Sequence, residues 1–105
     1  MELEQRMYPR RQSKMKMQVY TSLSAAGYTV KIDNINEVGA FVRSEHLPQA
    51  NEIISFNVCN SAYQYLLSGS AIVKRVVEGD RYNERGFALE FSSLIKKEVL
   101  NTITQ

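Results

Sequence analysis

The sequence predicts a mostly β domain: a six-stranded antiparallel barrel carrying a short C-terminal α-helix. Three observations support this. Apolar residues alternate with polar ones in successive short runs from Lys14 to Phe91, the period of half-buried strands. Polar or glycine-bearing turns separate the runs. A different period, Ile95, Val99 and Ile103 at i, i+4 and i+8, then marks one apolar stripe on a helix. Closing such a sheet removes its exposed edges, which favours a barrel.

Taken in order, Met15, Met17 and Val19 alternate with Lys14, Lys16 and Gln18 in the first strand, and Ala25-Ala26-Gly27 supplies a turn. Tyr28, Val30 and Ile32 form the second strand. Alternation points Asp33 away from its neighbour Asn34. After the polar turn Asn34–Gly39, Ala40-Phe41-Val42 is a short third strand, and Glu52–Cys59 is the fourth. The run from Ala62 to Val77 is long, and Gly69 in its middle predicts a bend or corner. Glu78–Glu84 reads as a hairpin loop, and Phe87, Leu89 and Phe91 define the last strand. Ser92 or Ser93 is the expected N-cap of the helix, with Leu94 and Leu100 flanking its stripe.

A length of 105 residues fits one domain. The expected division is a flexible basic arm, residues 1–12, followed by a single barrel domain with its helix, residues 13–105. Apolar and charged fractions of 44% and 23% are those of a globular chain, not a disordered one. No run approaches a membrane span, and the N-terminus lacks the apolar centre of a signal peptide; a cytoplasmic protein is expected. The single cysteine, Cys59, excludes an intrachain disulfide and a Cys-based zinc site. It reads as a small buried hydrophobe, and His46 as a surface residue.

The net charge of +2 is unevenly spread. Arg6, Arg10, Arg11, Lys14 and Lys16 stand against Glu2 and Glu4 in residues 1–16, and the rest of the chain is slightly acidic. Such a cluster suits an anionic partner but is too small for a general nucleic-acid coat, so no DNA is expected. Tyr63 and Tyr65 with Arg75 could form a stacking platform for single strands; strand tyrosines serve more often as barrel surface or core. No nucleophile–base set or carboxylate pair stands in a catalytic context, so no enzyme is expected.

Two segments carry the functional reading. Arg6-Met7-Tyr8-Pro9-Arg10 places two arginines four residues apart on a segment that Pro9 keeps extended. Asn34-Ile35-Asn36-Glu37-Val38-Gly39 is a polar turn between strands. Together with the closing strand Arg85-Gly86-Phe87-Ala88-Leu89-Glu90-Phe91, they resemble the PilZ domain family over about Arg6 to Leu100. That family has Arg-x-x-x-Arg before the first strand and Asp/Asn-x-Ser-x-x-Gly between the second and third. Asn36 stands here where the family has Ser.

The resemblance implies a six-stranded barrel that binds the bacterial messenger cyclic di-GMP, with no separate cofactor or metal. It assigns ligand contacts to Arg6 and Arg10, and to Asn34, Asn36 and Gly39. Arginine suits this ligand because its planar fork pairs with phosphate or with guanine O6 and N7, and its face stacks on a base. Arg10-x-x-x-Lys14, with Arg11 as a helping ligand contact, is the competing register. Gly39 is expected to allow positive φ and close ligand approach. The implied function is a stand-alone receptor whose arm orders on binding and signals to an unidentified protein effector. The alternatives are an adaptor of this fold that does not bind the nucleotide, and a small barrel binding RNA or single strands.

Overall fold

A computed structural model describes residues 8–81 and 84–104. Its elements are β1 (Arg11–Gln12), β2 (Lys16–Thr21), β3 (Ser24–Ile35), β4 (Gly39–Arg43), β5 (Ile53–Cys59), β6 (Tyr65–Glu78), β7 (Arg85–Phe91) and α1 (Lys97–Ile103). Strands β2 to β7 close an antiparallel barrel in the order β3-β2-β5-β6-β7-β4, with β4 returning to β3. The short β1 adds to β3 beyond the end of β2, pairing Arg11 with Ile35 and Gln12 with Asn34. Two residues of the expected arm are therefore strand.

Alternation fills the barrel. Met17, Val19, Val30, Ile32, Val42, Ile54, Phe56, Val58, Val73, Phe87 and Leu89 point inward and are buried. Phe56 and Phe91 pack with ring centroids 5.2 Å apart. Ile95, Leu100 and Ile103 join the same core. Each fully buried aliphatic side chain of this kind contributes about 1.5–3 kcal/mol of transfer free energy, which is what holds a seven-residue helix on the barrel. Among the described residues no helix is long and apolar enough to cross a membrane.

The structure corrects four local expectations. The β2–β3 turn lies at Ser22–Leu23, and Ala25-Ala26-Gly27 is strand. Gly27 has φ +80°, and a Cβ there would lie 2.6 Å from the Tyr20 ring; it serves a register shift opposite Val19–Thr21. Gly69 forms no corner: it pairs with Phe56 inside one continuous β6, and the register irregularities of that strand fall at Leu66 and Lys74 instead. The helix starts after Lys96, with no side-chain cap. The chain first runs on from β7 so that Ile95 N–H can reach Glu37 O, 2.9 Å away. Ile95 thus enters the core from outside the helix. Cys59 is only half-buried.

Tyr28, half-buried on β3, stacks obliquely on exposed His46 with centroids 5.2 Å apart. Burial, with a smaller push from the Glu52 carboxylate, raises its phenol above the ordinary 10.0. The neutral phenol is favoured in the folded state, so its contribution to stability is complete below the unfolded value and is lost as pH climbs through the folded one. Denaturant unfolding above about pH 10 should show a steeper loss of stability for the wild type than for Tyr28→Phe; parallel curves would exclude this role.

Candidate functional site

The site is built on the outer face of β3-β4-β7-β6. Register places Asn34 opposite Phe41, Phe41 opposite Ala88, and Ala88 opposite Arg75. That row crosses four strands, or about 14 Å at ordinary strand spacing. Two irregularities widen its polar complement. The β3–β4 register shifts between Ile32 and Asn34, and the β6–β7 register shifts between Val73 and Arg75. A bulge turns two consecutive side chains to one side. Asp33 therefore joins Asn34 on the cleft, against the expectation from simple alternation, and Lys74 joins Arg75.

The resulting cleft of about 770 Å³ is lined by Arg10, Asn34, Asn36 and Gly39 together with Phe41, Arg43, Lys74 and Arg75. Its size falls within the range of small-molecule sites. Four cations face Asp33 and Glu90 there, so the cleft favours an anion. Arg43 Nη2 lies 3.5 Å from Asp33 Oδ2 in a half-exposed pair, and Arg43 also donates to Glu84 O at 3.1 Å. Its guanidinium carbon sits 4.8 Å from the Phe41 ring centroid, and that of Arg75 sits at 5.9 Å.

The two sequence segments meet at this cleft. Arg10 Nη1 donates to Asn34 Oδ1 at 2.6 Å. Arg11 alternates to the other side of β1 and donates to Asn101 of α1 at 2.5 Å. Lys14 opens on a separate cleft with Asn60 and Tyr63, so the register Arg10-x-x-x-Lys14 does not converge on one site. Arg6 lies outside the described residues. Tyr63 and Tyr65 are exposed, and Tyr65 is ten residues up β6 from Arg75, roughly 33 Å along a strand, so the three do not form one platform.

Asn36 has a different setting from its neighbours. It is 2% exposed, and its Oδ1 accepts from the Val38 and Gly39 N–H groups, each at 2.9 Å. Its Nδ2 donates to Tyr8 O at 2.8 Å. The amide thus closes the turn and ties the arm to it. Serine could keep an acceptor but would not span both ends. Asn36→Ser should cost about 1–2 kcal/mol through one lost buried hydrogen bond, read as a lower denaturant midpoint. An unchanged midpoint would show that serine serves the turn equally well.

Gly39 is buried in the β4–β7 seam, and a Cβ there would lie 2.2 Å from Leu89 O. The described glycine with positive φ is Gly27, not Gly39. The missing Cβ at Gly39 serves strand approach as well as the cleft wall. Phe41, Arg43 and Lys74 belong to no motif that the sequence shows, and the sequence expectation places Arg75 with Tyr63 and Tyr65. A signal for the bulges does exist: Ile32-Asp33-Asn34-Ile35 and Val73-Lys74-Arg75-Val76 each put two polar residues between apolar ones.

No family model and no curated protein matches the chain. Among solved structures, the chain is similar to the Bacillus subtilis inhibitor of motility (MotI/DgrA), with a TM-score of 0.67 and 16% identity. The match covers 91% of this chain and 46% of that protein, so the chain spans about half of that neighbour's length. Likeness at this identity speaks to architecture, and the architecture is a PilZ-like six-stranded barrel with a short C-terminal helix.

Proposed function

We propose that the chain is a cyclic di-GMP receptor that binds the nucleotide in the cleft between the arm and the β3-β4-β7-β6 face. The observation that carries this reading is the meeting of Arg10 and Asn34 at 2.6 Å on a cationic cleft. An arginine fork and an amide edge side by side offer donors and an acceptor suited to phosphate and guanine.

Binding would exchange the Arg10–Asn34 bond for bonds to the ligand and reset the arm. The same stretch of chain reaches α1 through Arg11 and Asn101, and through Ser13 Oγ, which donates to Ile103 O at 2.8 Å. A change at Arg10 would therefore be felt at the helix surface, where a protein effector could read it. The neighbour's name, an inhibitor of motility, supports a regulatory output.

Calorimetric titration of the chain with cyclic di-GMP, GMP and a short RNA tests the proposal. Saturable heat with cyclic di-GMP is expected, and no heat at high micromolar concentration would overturn it. One observation favours a second reading, an adaptor that does not bind the nucleotide. The Asn36 amide is largely spent on the turn and on Tyr8, which leaves one motif position with three of its four hydrogen bonds already made.

A further inference from the structure

The sequence motifs account for only one end of the cleft. At the other end stand Lys74 and Arg75, adjacent residues that the β6 bulge turns to the same face. Both are exposed, while Val73 before them is fully buried and Val76 after them packs against the core. Among the described residues neither is in an ion pair. Beside them Phe41, only 9% exposed, lies beneath the guanidinium groups of Arg75 and Arg43 and backs the plane of each. Ala88, opposite both Phe41 and Arg75, keeps the floor between the two ends low.

We infer that Lys74, Arg75 and Phe41 form a second subsite, which receives the half of the ligand distal to Arg10 and Asn34. This inference rests on the proposed reading of the cleft. The physical case is a matched pair of ends. Arg10 and Asn34 make one anion- and base-binding end, and Arg75 with Lys74 makes another about 14 Å across the sheet by strand count. An arginine lying against an aromatic ring can take a base on its free face and a phosphate oxygen on its edge. A ligand with two base-and-phosphate halves engages both ends, and a mononucleotide engages one. Arg75 and Lys74 would then set selectivity for the dinucleotide.

The test is calorimetric titration of the full chain, as wild type, Arg75→Ala, Arg75→Lys and Lys74→Ala/Arg75→Ala, with cyclic di-GMP and with GMP. The double variant should lose at least about tenfold in cyclic di-GMP affinity, and the ratio of the cyclic di-GMP and GMP affinities should fall. The salt dependence of the remaining binding should become shallower, as expected when phosphate-contacting cations are removed. Arg75→Lys should recover only part of the affinity, because lysine restores charge but not the stacking plane. Unchanged melting temperatures would separate a binding role from a structural one. Cyclic di-GMP affinity within twofold of wild type in the double variant would overturn the subsite while leaving the motif end intact. Absence of cyclic di-GMP binding by the wild type would overturn the reading of the whole cleft.

Discussion

Replacing Arg10 by alanine should weaken cyclic di-GMP binding about 10- to 100-fold, the range expected for losing a charge-assisted hydrogen bond of ~1.5–3 kcal/mol. Among the described residues Arg10 is the arm cation placed on the cleft, since Arg11 turns to Asn101 and Lys14 opens on another cleft. The fold should be almost indifferent to the change. Arg10 is exposed, and its bond to Asn34 joins two side chains at the surface, where such contacts contribute little. Titration and a thermal melt on the same variant separate the two effects. Unchanged affinity would show that Arg10 has no part in holding the ligand.

Gly39→Ala should have the larger effect on stability. The added methyl would sit 2.2 Å from Leu89 O, a backbone atom within the β4–β7 seam, with the Leu89 carbonyl carbon at 3.3 Å. A flexible side chain could swing away, but a strand carbonyl held in a ladder cannot move without opening the pairing of Gly39 with Glu90 and Ala40 with Leu89. Overpacking of this kind costs about 1–3 kcal/mol and more when backbone must shift. A loss at the top of that range would lower Tm by on the order of 15 °C in a domain of this size. A thermal melt reads it directly. A Tm within a few degrees of wild type, joined to a large loss of cyclic di-GMP affinity, would instead assign Gly39 to ligand approach alone.

These two expectations divide the motif residues by what surrounds them. Arg10 and Asn34 expose their polar atoms to the cleft, so their chemistry is open to a ligand. Asn36 and Gly39 are buried, and their chemistry is directed at the protein's own backbone. The turn they form is also held from below: Phe91 N–H bonds Val38 O at 2.8 Å, and Ile95 N–H bonds Glu37 O at 2.9 Å. A rigid turn of this sort presents Asn34 at a defined place, and such preorganisation lowers the entropic cost of binding.

Much of the barrel was legible in the sequence because strand burial is a local rule. Side chains at i, i+2 and i+4 share a face, so Met17 and Val19, Ile54, Phe56 and Val58, or Phe87, Leu89 and Phe91 announce the core by themselves. The helix follows from its period only in part: Val99, Leu100 and Ile103 lie on α1, whereas Ile95 is buried ahead of it. The candidate motif residues Arg10, Asn34, Asn36 and Gly39 were legible as residue types at set spacings. What only the tertiary structure decided is which of them face the cleft and what completes it. Asp33 beside Asn34 and Lys74 beside Arg75 depend on where a neighbouring strand skips a residue, and that register is a property of paired strands. Arg43 and Phe41 belong to the site because β4 lies between β3 and β7 in space. Asn36 ties the arm to the turn because Tyr8, far off in sequence, ends within reach of its amide. Local periodicity sets which face a residue occupies, whereas the making of a site depends on which faces the barrel closure brings side by side.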